Sequence, residues 1–343
     1  MKRPLSILFI GLVAGPFLRA QAPEPRTAFV RRLQAAVAPW GGPKRLWECQ
    51  PGPVYGVVTL PGAKCEGLAV APNGDVFTGD LTTNAIYRVS PWGQVTLHAS
   101  LGSGTPYDPA NPGWYFDGVK GLGFSVDGEL WACHPNPISR DRAKHGIWRV
   151  GRDGQAELAV PLDPTMAPFP NGLTFDSQGN LYFSESWKGG VWKVPRGSRT
   201  AVPWADHELL APLPEGGFGA NGIAFKGGAI YVANTDQVTL VRIPILPDGS
   251  AGAPAIHASG FGWPDGVAVG PRGDLFLIGG WEDWQVIRVR DDGSWEVVVP
   301  GGISGAASLD FARAPSAQPS LFLANFWASE WGYPTVQKVE VCK

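Results

Sequence analysis

Three observations predict an all-β chain folded as a six-bladed β-propeller. One Gly-centred strand pattern recurs six times at intervals near those of propeller blades. Gly (46) and Pro (33) are abundant across 343 residues. Short runs of Val, Ile, Leu, Phe and Trp are cut off by Gly, Pro, Asn and Asp, the punctuation of strands and turns. A closed all-β unit of this length folds as one domain.

The six copies open with Glu66-Gly67-Leu68, Lys120-Gly121-Leu122, Asn171-Gly172-Leu173, Asn221-Gly222-Ile223, Asp265-Gly266-Val267 and a degenerate Ala307-Ser308-Leu309. Each continues through a turn into a second apolar strand (Val76-Phe77, Leu130-Trp131, Leu181-Tyr182-Phe183, Ile230-Tyr231-Val232, Leu275-Phe276-Leu277, Leu321-Phe322-Leu323). A third strand follows, usually ending in Arg-Val or Lys-Val, as in Tyr87-Arg88-Val89 and Gln337-Lys338-Val339. The last copy stops after this third strand, while an orphan strand at Val54 to Leu60 precedes the first copy. The orphan is expected to complete the sixth blade, closing the ring between the two chain ends and leaving only short edges.

Ahead of the repeats, Lys2 and Arg3 precede an apolar stretch from Leu5 to Leu18 and then Ala20-Gln21-Ala22. This reads as a cleaved signal peptide, its apolar run being short of the roughly 20 residues of a membrane span. The division expected is signal peptide 1–22, N-terminal arm 23–52 and propeller 53–343, with the mature protein periplasmic or secreted. Export permits disulfides. Cys342 ends the last strand and Cys49 shortly precedes its partner, so a bridge there would replace a missing turn; Cys65 and Cys133 either pair or remain buried thiols.

The balance of 28 basic and 30 acidic residues gives no field that would draw the protein to nucleic acid or to a membrane after signal cleavage. The expected partner is a small molecule, bound by a monomer. Nucleophile-elbow, phosphate-loop and H-E-x-x-H motifs are absent from the sequence. A single G-x-G-x-x-G match from Gly217 to Gly222 runs into a strand rather than opening a helix, and is read as chance.

The residue before each Gly is predicted to stand at one height on the central channel. These heads are Glu66, Lys120, Asn171, Asn221, Asp265 and Ala307. Asn-Gly and Asp-Gly also make turns, yet four oxygen-bearing heads at one repeat position converge on an axis where each would be desolvated unless paired or metal-bound. Two carboxylates and two carboxamides suit calcium, which takes oxygen ligands without strict geometry, better than zinc, which prefers His or Cys. A second ring is expected from the ends of the second strands: Asp80, His134, Glu185, Asn234, Gly279 and Asn325. These would either orient the ligands and relay protons or serve the fold. Trp114, Tyr115, Trp187, Trp281, Trp284, Trp327 and Trp331 fall on loops around the mouth, as pocket wall or as packing between blades.

On these heads the chain resembles the senescence-marker-protein/gluconolactonase/luciferin-regenerating-enzyme family, relatives of the paraoxonases and diisopropyl fluorophosphatase. Glu66, Asn171, Asn221 and Asp265 match the family pattern blade for blade over roughly residues 54–341. The resemblance implies a calcium-dependent hydrolase of lactones or related esters, with those four residues as metal ligands and the metal polarising the carbonyl. It further implies an acid–base or nucleophilic role for Asp265, and His134 resembles the histidine base of paraoxonase-type sites. The alternative is a non-catalytic ligand- or protein-binding propeller with a structural calcium. Lys120 departs from the pattern. Its ammonium would hold a substrate anion or oxyanion, replace the calcium by pairing with Glu66, or turn outward.

Overall fold

The computed structural model describes residues 52–102, 116–137, 143–213, 217–280, 283–303, 305–312, 320–326 and 335–341. The expected signal peptide, nearly all of the arm, and the expected Cys49–Cys342 bridge lie outside them.

Six four-stranded antiparallel sheets follow one another along the chain. Blade one is Cys65–Val70, Val76–Asp80, Ala85–Val89 and Val95–Ser100. Blade two is Leu122–Phe124, Leu130–His134, Gly146–Val150 and Ala156–Pro161, and blade three is Pro170–Phe175, Leu181–Glu185, Val191–Val194 and Val202–Ala205. Blades four and five begin at Ala220–Lys226 and Val267–Val269, with outermost strands Ala255–Ser259 and Trp295–Val299. The sixth sheet joins Ala306–Phe311, Ser320–Asn325 and Val336–Glu340 to Val54–Val58 from the other end of the chain, with Val54 opposite Val339 and Tyr55 opposite Lys338. A 3₁₀ turn spans Glu208–Leu210 between the third and fourth blades.

The hairpins between first and second strands repeat one turn. In blade one Gly74 N–H donates to Ala71 O at 2.9 Å, and in blade five Gly273 N–H donates to Gly270 O at 2.9 Å. Both glycines have left-handed φ, +88° and +90°, where an L side chain would be strained.

Alternating side chains of adjoining sheets fill the space between blades, and an apolar cluster forms at each contact. Ile86, Leu101, Leu122 and Trp148 pack blade one on blade two; Leu68, Val76, Phe322 and Val336 pack blade six on blade one. Cys65 and Cys133 are free, fully buried thiols, so they do not pair. Burial pushes both thiols up, which keeps them protonated and unreactive.

At the axis the inner strands come too close for side chains on both sides. A Cβ on Gly67 would fall within 3.0 Å of Lys120 O, one on Gly121 within that distance of Asn171 O, and one on Gly222 within it of Asp265 O. Gly121 and Gly266 instead donate their N–H groups to the next blade's head carbonyl, to Asn171 O at 3.0 Å and Ala307 O at 2.9 Å. The residue after each of the first five heads is glycine for this reason, with Ser308 in the sixth, and its recurrence in the sequence marks blade-to-blade contact. Replacing Gly222 with Ala is expected to destabilise the protein by about 1–3 kcal/mol. Gly301→Ala, where nothing lies within 4 Å, is expected to change little. Denaturant unfolding of the two variants checks the difference.

Candidate active site at the propeller axis

The glycine contacts turn the preceding residues into the channel. Lys120 Nζ lies 2.8 Å from Glu66 Oε2, and the lysine side chain is only 2% exposed. The same ammonium stands 5.4 Å from the centre of the Phe169 ring, within cation–π range. Across the channel, Asn171 Nδ2 donates to Asn221 Oδ1 at 2.7 Å and to Ser186 Oγ at 3.1 Å. Asn221 Nδ2 donates to Thr235 Oγ1 at 3.0 Å, and the threonine hydroxyl donates to Pro264 O at 2.7 Å, one residue before Asp265. The two carboxamides are thus locked to each other and to the hydroxyls behind them.

Asp265 sits beside this chain, its N–H bonded to Ile278 O at 3.0 Å. Burial pushes its carboxyl well above the usual carboxylate range, and the nearby Glu66 adds to that; Lys120 and a hydrogen bond from Asn221 pull the other way. Glu66, Lys120 and Asp265 therefore share one electrostatic site. Together with Asn171, Asn221 and Thr235 they floor a cavity of about 210 Å³ walled by Phe116, Phe169, Phe218, Phe326 and Trp284. Phe116, Phe169, Phe218 and Trp187 form one aromatic cluster, Phe169 stacking on Trp187 with centroids 5.2 Å apart.

The residues as they stand do not fit the calcium ion that the resemblance implies. An ammonium already bonds the Glu66 oxygen, Asn221 Oδ1 accepts from its neighbour, and the sixth head is Ala307. No three His, Cys, Asp or Glu side chains among the described residues are grouped to hold a metal. A divalent ion about 4 Å from the ammonium would be repelled by about 8 kcal/mol at an effective dielectric of about 20. Calcium therefore enters no step of the reaction below.

The second ring serves the fold. Asp80 Oδ1 accepts the N–H groups of Lys64 and Thr82, both at 3.0 Å. Glu185 Oε1 accepts from Phe169 N at 2.9 Å and Glu185 Oε2 from Lys188 N at 2.7 Å. Lys64 and Phe169 each stand two residues before a head, so both acids tie the end of a second strand to the segment entering the channel. Asn234 Nδ2 donates to Leu209 O and Ala211 O, and Asn325 Nδ2 to Gln337 Oε1. His134, expected to act as a base, is 0% exposed, stands apart from the residues that line the cavity, and pairs its Nδ1 with Asn136 Nδ2 at 3.3 Å. Burial holds its imidazole down at about 3, so it stays neutral and weakly basic. Of the expected mouth aromatics, Trp284 lines the cavity and Trp187 backs it; Trp114, Tyr115, Trp281, Trp327 and Trp331 lie outside the described residues.

With this geometry in hand, solved structures supply a comparison. The chain aligns with a gluconolactonase from Xanthomonas campestris at a TM-score of 0.63 and 18% identity, covering 85% of this chain and 90% of that one. A regucalcin from Agrobacterium tumefaciens, described as a calcium-binding protein, gives 0.61 and 17%, with 85% and 95% covered. The chain has the fold of the gluconolactonase and regucalcin propellers. A virginiamycin B lyase from Staphylococcus aureus shares it at 0.54 and 16%, with 82% of each chain covered, so this propeller fold accommodates more than one reaction. No protein-family model matches the chain, and no curated protein matches it in sequence.

Within this propeller, the residues missed from sequence are Ser186, Thr235 and the phenylalanines. Ser186, Thr235 and Phe326 each stand one position beyond the second ring, so aligning the repeat one residue further would have found them. Phe169 and Phe218 stand two and three residues ahead of heads; at the first offset Trp263 is the other aromatic, and at the second no other blade has one. Because His134 is held neutral when folded but titrates near 6.5 when unfolded, its contribution is present above pH 6.5 and lost as pH falls toward 3. His134→Gln is expected to flatten the loss of stability between pH 6 and pH 4 by up to about 1.4 kcal/mol per pH unit. Urea unfolding across that range is the measurement.

Proposed function

We infer that the protein hydrolyses lactones or related esters in the axial cavity, and that its substrate is small and largely apolar. The observation that carries this reading is the juxtaposition of Glu66, Lys120 and Asp265 at the floor of an aromatic-walled cavity. Hydrolysis of an acyl C–O bond needs a group to take a proton from water, a positive group at the carbonyl oxygen, and a pocket for the rest of the substrate. Asp265 is suited to the first role, since burial and Glu66 raise its basicity above that of an ordinary carboxylate. Lys120 supplies N–H donors for the second. Water attacks the carbonyl carbon as Asp265 accepts its proton; the acyl C–O bond breaks, and that proton passes to the departing alkoxide, leaving an acid and an alcohol.

The walls carry phenyl and indole faces, with Ala306 and Ala307 completing them. They offer a polyol few hydrogen-bonding partners, which favours an ester or lactone with an aliphatic or aromatic body. A calcium-dependent form of the same reaction is supported by the calcium-binding neighbour and by the match of Glu66, Asn171, Asn221 and Asp265 to the family pattern. The Lys120–Glu66 pair weighs against it. That pair also favours a second reading, a ligand-binding propeller without turnover, since it satisfies both charges with no substrate present. Lys2, Arg3, the Leu5 to Leu18 stretch and Ala20-Gln21-Ala22 support a periplasmic or secreted location for a monomer acting on a diffusible substrate.

Asp265→Asn is expected to lower kcat on aryl esters or apolar lactones at least a hundredfold while leaving the unfolding midpoint in place. Full activity in that variant would remove Asp265 from the reaction. For the wild type, kcat/KM is expected to rise with pH through a midpoint above the usual carboxylate range, because the base form of Asp265 is the active one.

A further inference from the structure

We propose that Lys120 is the resident cation of the axial site, its ammonium standing where an oxygen-liganded metal would otherwise be required, so that the site works without a divalent ion. Chemically, it is a metal-independent site for a carbonyl compound with an apolar body. The catalytic half of this inference rests on the hydrolase reading; the half concerning the cation does not.

The placement of the lysine is built by the fold. Lys120 N–H donates to Cys133 O at 2.9 Å, and Cys133 N–H donates to Gly121 O at 2.9 Å, so the backbone on both sides of the head is fixed to the second strand. Gly67 packs on the Lys120 carbonyl, which brings the heads of blades one and two into contact and sets Nζ 2.8 Å from Glu66 Oε2. An ammonium removed from water to 2% exposure is unfavourable unless its charge is answered. Here a carboxylate answers it directly and the Phe169 ring does so from a second direction. A lysine free to swing outward would not need either.

The charge balance agrees. Two acids and one ammonium leave the floor at one negative charge when both acids are ionised and neutral when one is protonated, while a further divalent ion would leave it positive. Of the two amides, Asn221 already has its oxygen engaged, Oδ1 accepting from Asn171 Nδ2 at 2.7 Å, and its Nδ2 is held by Thr235, so it would have to leave both neighbours to ligate a metal. An ammonium has three N–H donors, one of them already on Glu66, so it gathers fewer substrate oxygens than a calcium ion, which takes about six to eight. That difference matches the aromatic walls.

The test is calorimetric titration of calcium chloride into the purified chelator-treated protein, wild type and Lys120→Ala, with thermal unfolding measured in calcium and in EDTA. The expected result is no binding by the wild type up to millimolar calcium and one unfolding temperature in both buffers. Lys120→Ala is expected to bind calcium at least tenfold more tightly than the wild type. Micromolar binding by the wild type, or an EDTA-induced fall in its unfolding temperature, would overturn the proposal. So would the absence of binding by both proteins, because the lysine would then fill no cation position. Should Lys120→Ala fail to fold, Lys120→Met, which preserves the apolar stem, is titrated in its place with the same expected and contrary results. Neither readout depends on turnover, so loss of the hydrolase reading through inactivity on every ester and lactone tried is distinguishable from loss of this one.

Discussion

The contact on which the rest depends is the one between the glycine of each of the first five inner strands and the head carbonyl of the next blade. Gly67 on Lys120 O, Gly121 on Asn171 O, Gly172 beside Asn221 O, Gly222 on Asp265 O and Gly266 beside Ala307 O form a nearly continuous ring of backbone at the axis. A side chain at any of these positions would force the blades apart. Because the glycine faces its neighbour, the residue before it must face the channel, and six heads arrive at one height whatever their chemistry. The scaffold therefore fixes where the functional groups stand and leaves their identity to vary.

What that identity supplies here is charge in need of balance. Glu66 and Asp265 raise the electrostatic cost of sharing an enclosed space, and Lys120 relieves it. Burial at the floor strengthens the interactions there, which raises the basicity of Asp265 and makes the position of the ammonium matter. Tied amides and hydroxyls behind the heads hold the floor in place. The second ring, at the ends of the second strands, carries its acids Asp80 and Glu185 into backbone bonds that brace the segments entering the channel, and Asn234 into bonds with Leu209 O and Ala211 O.

The blade count, the inner three strands of each blade and the heads were legible in the sequence because each follows from a local periodicity: alternation in the strands, glycine in the turns, glycine again after the head. The cavity walls were less so. Phe169, Phe218 and Phe326 lie in irregular segments whose path across the mouth depends on tertiary packing, and nothing local distinguishes an aromatic that lines a cavity from one that fills a core. His134 shows the converse. Its repeat position places it at the end of a second strand, but the ring packs beside Trp148 rather than reaching the channel, and repeat alignment alone does not carry side-chain direction. The position of Lys120 was legible and its partner was not, because three rotamer outcomes for one long side chain share a single sequence.

A crystal structure of the wild-type protein grown in millimolar calcium chloride, with anomalous data collected for calcium, tests the central claim most directly. Lys120 Nζ in contact with Glu66, no anomalous peak at the axis and the two carboxamides still joined is the result this account predicts. An anomalous peak ringed by Glu66, Asn171, Asn221 and Asp265 oxygens at about 2.3–2.6 Å, with Lys120 turned away, would contradict it.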